Sequence, residues 1–312
     1  MSSATLLLPP AARFGRQRLD ADVLLALGRA DRTAHPGSHR RAQLLRHFDL
    51  SPPGWPLAAL ARQADVGDAG SDGWLRADPA YVRPDINGAR LLAYGDALAL
   101  DDEDAAALSP ALRQVFDEAG YFFDAPLPSR WYLRLARDAT LPAFADPEEA
   151  LGEDIFDHLP HGEPGRRWRA LLSEAQVVLH NHPWNARRAA AGKPPVNAVW
   201  FWGAGVLPDK AHTVHALLRS DDEVACALAQ SACVVQPLPP RFAGASHDEV
   251  FDLVTIRDPA MLVDAWLRPA LAAVRDGSLR WLELDFEDGE VMQIEPRQRW
   301  RLWRKPLAAL PQ

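Results

Sequence analysis

The chain has 312 residues, 48% of them hydrophobic, which is enough for one large or two modest domains, and a formal charge of −8 with a pI near 5.7. That balance excludes a general electrostatic attraction to nucleic acid, and no apolar run is long enough to span a bilayer. Two cysteines do not make a disulfide framework and fit a reducing, cytoplasmic compartment, as does a start, Met1-Ser2-Ser3-Ala4, without the basic residues of a secretory signal.

In chain order, Ala4 to Leu8 reads as a first strand running into Pro9-Pro10, and Leu19 to Arg32 and Arg41 to Phe48 as helices, the first with Asp20 and Asp22 in its opening turn. Trp74 to Asp78 reads as a strand entering a loop at Pro79, Ala105 to Ala119 as a helix, and Arg130 to Leu135 as a strand with alternating charge. Trp168 to His180 is helical, and Trp184 to Arg188 continues at helical offsets until Gly192, Pro194 and Pro195 stop it. Asn197 to Trp202 is an apolar strand, and His212 and His215 are expected to face solvent on a short helix after Pro208. Cys226 and Cys233 lie in an Ala-rich segment without a basic neighbour, and read as buried small hydrophobes. Leu262 to Asp276 is a helix stopped by Gly277. Leu279 to Phe286 and Val291 to Ile294 form a hairpin across Glu287-Asp288-Gly289-Glu290, and Arg299 to Arg304 adds a further strand.

The densest chemistry lies between Asn181 and Pro208, where Asn185, Asn197, Arg187, Arg188 and Lys193 gather amide and cationic donors and no carboxylate occurs between Glu174 and Asp209. Guanidinium groups match phosphate or carboxylate in bidentate geometry, so the segment reads as an anion-binding loop. The plainer reading is a solvated helix face, an Asn cap and turn, and core tryptophans. Among the histidines, His158 and His161 with Asp154 and Asp157 just upstream form the best metal candidate, against a polar surface loop. His182 lies at the edge of the Asn181–Pro208 segment and is placed beside its ligand. No nucleophile elbow, P-loop, dinucleotide fingerprint or H-E-x-x-H motif is present.

The pattern formed by Asn185, Arg188, Gly192, Lys193, Pro195, Asn197, Trp200, Trp202, Gly203 and Gly205 resembles the substrate-domain segment of archaeal-type cofactor-independent phosphoglycerate mutases, of the alkaline-phosphatase-like superfamily. Ala77 to Asn87, with Asp78, Arg83 and Asn87, is a looser match to the same family. The opening LLLPPAARFG and the HNHPWNARRAAAG core make the whole chain more similar to the bacterial RpfE-type regulatory proteins. The resemblance implies α/β architecture: an alkaline-phosphatase-like core from residues 1–75 and 210–312, with a smaller inserted α+β domain at 76–209. It also implies a ligand set of Asn185, Arg188, Lys193, Asn197, Arg83, Asn87 and His182, and a Mn²⁺ or Mg²⁺ pair held by Asp and His with a phosphorylated Ser or Thr.

The metal half of that implication has no support in the residues. No Asp follows the first strand, and Arg257 stands where a metal-binding His is expected after Asp252. The reading favoured by the sequence is a non-catalytic or regulatory protein on a degenerate mutase-like scaffold, with no metal cofactor, binding a small phosphorylated or carboxylate metabolite. Arg188→Ala is then expected to remove binding. The alternative is a metal-dependent mutase or phosphohydrolase using Asp78, Asp85, Asp154, Asp157, His158 and His161. A tryptophan-rich surface for a protein partner is a third reading.

Overall fold

The computed structural model describes residues 2–15, 19–86 and 88–310. The chain divides into two compact units, Met1–Pro53 with Asp209–Gln312, and Gly54–Pro208. The first joint falls at Pro53, upstream of the 75/76 boundary drawn from sequence. The helix Leu57–Asp65 explains the difference, because it packs on the strands of the second unit.

The strands in chain order are β1 (Ser2–Leu8), β2 (Asp31–Ala34), β3 (Asp49–Ser51), β4 (Gly73–Asp85), β5 (Gly88–Tyr94), β6 (Phe122–Leu127), β7 (Arg130–Leu135) and β8 (Ala198–Val206). They continue with β9 (Lys210–His212), β10 (Leu217–Arg219), β11 (Val234–Gln236), β12 (Asp248–Asp252), β13 (Leu279–Phe286) and β14 (Glu290–Ile294). The class is mixed α/β, as expected.

In the first unit a seven-stranded sheet runs β11-β10-β12-β1-β13-β14-β2, parallel from β11 to β13 and antiparallel at β14 and β2. A central parallel strand is covered on both faces, which is why β1 is buried from Ser3 to Leu8. Leu6, Leu8, Leu284 and Phe286 alternate onto one face and build a core with Val23 and Leu27 of the helix Ala21–Arg29 and Trp266, Leu271 and Val274 near the C-terminus. Alternation sends Leu7, Asp252 and Asp285 to the other face. The β13–β14 hairpin is as read from its turn residues. The helix expected over Leu262 to Asp276 starts with a π-helical turn, Leu262–Leu267, before α-helix resumes at Arg268.

Two expectations fail in this unit. Arg299 to Arg304 is no strand: Pro296–Trp300 forms a 3-10 turn, because Glu295 and Gln298 cap it reciprocally and no sheet edge receives the segment. Trp300, Leu302 and Trp303 are consequently exposed. His212 lies in β9, paired with Asp49 of β3, and His215 is buried at 6% exposure instead of facing solvent. Pairing with β3 extends the chain after Pro208, which precludes the short helix.

The second unit is built on an antiparallel sheet around β4, whose first half pairs with β7 and β8 and whose second half pairs with β5. Pairing partners in succession carry β4 through Pro79, where sequence alone placed a loop, and on through Pro84. The helices Asp102–Glu118 and Gly162–His180 bury Leu108, Leu112 and Phe116, and Trp168, Leu172, Ala175 and Leu179, at helical spacing against the sheet. A reciprocal cap between Asp101 and Asp104 starts the first of these helices.

Candidate functional site

In the second unit, the Asn181–Pro208 segment begins with the short helix Trp184–Ala190, closes through Gly192 at φ 72°, and returns as β8. Apart from the exposed Arg187, its donors turn toward the protein's own groups. Arg188, 1% exposed, donates Nε to the Pro194 carbonyl at 2.9 Å, Nη2 to the Leu98 carbonyl at 2.6 Å, and Nη1 to the Asp104 carboxylate. Asp104 also accepts from Trp184 Nε1 at 2.7 Å and Lys193 Nζ at 3.1 Å. Burial works to raise the Asp104 pKa, but these donors together with Arg188 outweigh it and hold the carboxyl below its ordinary range.

The asparagines behave in the same way. Asn185 donates to the carbonyls of Leu179 at 2.8 Å and Val196 at 2.9 Å and accepts from Val196 N–H at 2.9 Å. Asn197 bonds both the N–H and the carbonyl of Val82, at 2.9 and 2.7 Å, fastening the entry of β8 to β4. His182 accepts from Trp184 N–H at 3.3 Å, and Lys193 also reaches Asp101 at 2.6 Å. The structure thus brings Asn185, Arg188 and Lys193 together, but around the protein's own groups. Arg83 is exposed on the β4–β5 arm, directly across from Arg90. Asn87 lies outside the described residues.

The residues of the alternative metal set do not converge. Asp78 is 1% exposed and holds Arg76 Nε at 2.8 Å and Trp202 Nε1 at 2.7 Å, while Asp85 pairs with Arg90 at 2.6 Å. Asp154 caps the turn Ile155–Asp157, His158 pairs with Glu153 at 2.8 Å, and His161 precedes the helix Gly162–His180. Among the described residues no cluster of three or more His, Cys, Asp or Glu is arranged to hold a metal ion.

In the first unit, the C-terminal ends of the parallel strands carry the more concentrated polar chemistry. Asp252, 3% exposed at the end of β12, pairs with Arg40 Nη2 at 2.5 Å and accepts from Ser220 Oγ at 2.7 Å. Arg40 also reaches Asp222 at 3.4 Å and donates to Gln43 at 2.9 Å. Asp285, 1% exposed near the end of β13, receives a fork from Arg46, Nε at 3.0 Å and Nη2 at 2.5 Å, and bonds His47 Nε2 at 2.7 Å. Gln43 donates to the carbonyls of Leu8 and Asp285, which ties the helix Arg40–Leu45 across β1 and β13. Burial pushes Asp285 up, but the Arg46 and His47 hydrogen bonds and charges prevail and lower it overall.

His47 continues into His215, Nδ1 to Nε2 at 3.2 Å. His215 Nδ1 is buried with no partner among the described residues. Burial, reinforced by the charge of His47, pushes the His215 imidazole down from 6.5 to about 4. Beside Asp285, burial raises Glu283.

These strand ends are where a divalent pair is implied by the mutase resemblance, and the residues present do not fit one. Asp252 and Asp285 are each already neutralised by a guanidinium at contact distance, and a divalent cation inserted there meets Arg40 or Arg46. Sequence reading missed Arg40, Gln43, Arg46, His47 and Asp285, because nothing in their spacing shows that a helix lies against the ends of β1 and β13. The signal that was available is the R-R-x-x-x-x-R-H run at 40–47, too cationic for an ordinary helix face beside a buried sheet.

No family model matches the chain. Curated relatives are phosphoglycerate mutases. A probable 2,3-bisphosphoglycerate-independent phosphoglycerate mutase of Geobacter sulfurreducens is 43% identical over 65 residues, 21% of this chain and 16% of that protein. The corresponding mutase of Methanothrix thermoacetophila is 28% identical over 120 residues, 38% and 30% of the two chains. Mutase 2 of Methanothermobacter thermautotrophicus is 27% identical over 154 residues, 49% of this chain and 36% of its own length. The matches therefore span between about a sixth and about a third of the relatives' length. Among solved structures, the cofactor-independent phosphoglycerate mutase of Thermoplasma acidophilum aligns with 95% of this chain and 90% of its own at 17% identity and TM-score 0.43. The PH0037 protein of Pyrococcus horikoshii aligns with 94% and 87% at 13% identity and TM-score 0.43. The likeness to phosphoglycerate mutases is partial and distant. Among the described residues no helix is long and apolar enough to cross a membrane.

Proposed function

We propose that this chain is a non-catalytic, regulatory protein of the RpfE type on a degenerate phosphoglycerate-mutase-like, alkaline-phosphatase-like scaffold, acting in the cytoplasm on a small anionic metabolite without a metal cofactor. The observation that carries the reading is the pairing of Asp252 with Arg40 and of Asp285 with Arg46, each at 2.5 Å, at the strand ends. A buried carboxylate held by guanidinium has no charge left to offer a metal, and removing either partner leaves an uncompensated ion, so the arrangement is locked against a simple exchange for a divalent cation.

What supports the anionic ligand is the charge left over at the same edge. Arg13 follows β1 and Arg257 follows β12, and the repulsion of Arg13 joins burial in lowering the Arg257 pKa. Glu287, raised by burial, feels Arg13, Arg40 and Arg257 together. Crevices at the carboxyl ends of parallel strands are the usual ligand site of such sheets, and a cationic one suits phosphate or carboxylate.

The test is metal analysis of the purified protein together with an assay of 3-phosphoglycerate to 2-phosphoglycerate conversion in added Mn²⁺ or Mg²⁺. Substoichiometric metal and no turnover are expected. Stoichiometric metal with turnover overturns the reading in favour of an active mutase. Calorimetry with 3-phosphoglycerate in chelator tests the ligand half, with Arg257→Ala expected to weaken binding.

A further inference from the structure

A second cleft lies in the first unit, on the apolar-core face of the sheet, opposite the face that carries Asp285. The helices Ala21–Arg29 and Arg268–Asp276 and the turn after β14 border a half-open cleft of about 210 Å³. Leu25, Leu271, Val274 and Ile294 give it an apolar lining. Four arginines line it as well, Arg29, Arg268, Arg275 and Arg299, against two carboxylates, Asp22 and Glu295.

The state of those charges separates a site from a chance gap. Glu295 is already held by Arg297 at 2.6 Å, and Arg268 by Asp20 and by Asp264 at 2.8 Å. Arg275 and Arg299 are exposed, and among the described residues neither is within ion-pair reach of a carboxylate. The Arg29 Nη1 donates to the Arg299 carbonyl at 2.8 Å, but its Nε is shielded from water and has no partner among the described residues. In a chain of net charge −8, this cleft carries surplus positive charge over an apolar lining.

We infer that the cleft is a binding site for a small organic anion with an apolar body, of the aryl or branched-chain carboxylate class. A dry cavity of about 150 Å³ takes a benzene ring, so about 210 Å³ has room for one ring or a branched chain with a short carboxylate arm. The apolar walls exclude a densely hydroxylated sugar phosphate, whose polar groups would be stripped of water without replacement. The carboxylate end meets Arg275 and Arg299 at the rim, where guanidinium geometry favours it over an amide. Neither Arg13 nor Arg257 lines this cleft, so the two proposals stand separately.

The experiment is isothermal titration calorimetry on the full chain with phenylacetate, with its uncharged isostere phenylacetamide and with 3-phosphoglycerate. Phenylacetate is expected to bind saturably and about tenfold or more tighter than phenylacetamide, the size of one charge-assisted contact. Arg275→Ala/Arg299→Ala, both surface changes, is expected to erase that preference, and Ala26→Phe to block the cleft. Equal affinity for phenylacetate and phenylacetamide overturns the inference, as does absence of saturable binding by phenylacetate up to the millimolar range. So does binding lost in Arg13→Ala/Arg257→Ala but retained in Arg275→Ala/Arg299→Ala. If Ala26→Phe fails to fold, the wild-type ligand series and the double variant decide.

Discussion

The Asn181–Pro208 segment and the strand ends around Asp252 and Asp285 are both knots of arginine and carboxylate, yet they arise in opposite ways. In the first, most of the donors come from one short stretch of sequence, and they are spent on holding that stretch to the helix Asp102–Glu118 and to β4. In the second, the groups come from residues more than 200 positions apart, and only the fold joins them. A dense local cluster of donors is well placed to satisfy its own turn, whereas groups delivered to one edge by several strands are what a ligand crevice requires.

Arg188→Ala should produce the largest effect. Removing the guanidinium leaves Asp104 buried with only Lys193, Trp184 and the Asp101 N–H, and a broken buried pair costs about 3–5 kcal/mol. Urea unfolding should show the loss whether or not any anion is present. A variant of unchanged stability that loses only anion binding would return the segment to the role its sequence suggested.

The strand-end cluster should reveal itself through pH. In the folded chain His215 takes up its proton only near pH 4, against an ordinary 6.5. Between those values the unfolded chain binds the extra proton, so stability falls as pH drops from about 6.5 and levels off below about 4. The contribution is roughly 3 kcal/mol. Replacing the imidazole in His215→Gln should flatten the stability profile over that window, and an identical slope in the variant would falsify the buried, neutral state of His215.

The smallest of the three effects belongs to Asn197→Ala, which strips two bonds from Val82 at the β4–β8 junction. About 1–3 kcal/mol is expected, measured as a shift in the unfolding midpoint with unchanged m-value. A drop in m-value instead would mean that the pairing of β8 onto β4 itself has been lost.

Periodicity carried much of the fold. β1, the helix of Leu108, Leu112 and Phe116, the helix of Trp168 to Leu179, and the β13–β14 hairpin were all legible from spacing and turn residues. Local signals failed where pairing partners decide: Pro79 sits inside a strand because β8 accompanies it, and Arg299 to Arg304 is no strand because no edge receives it. For the candidate site, sequence located Arg188 and Asn185 but not the direction in which they point. It also offered no means of seeing that Arg46 reaches Asp285, 239 positions away.

The short ribbon of β3 and β9 has a further consequence. Ser51 faces Lys210 across it, so the chain leaves the first unit and re-enters it at hydrogen-bonded neighbours. The 155-residue stretch from Gly54 to Pro208 is therefore a loop whose ends are clamped by a stem belonging to its host. Closure entropy grows only logarithmically with loop length, so whatever such a stem encloses can be lengthened, exchanged or shortened to a tight turn while the strand order of the host sheet is untouched.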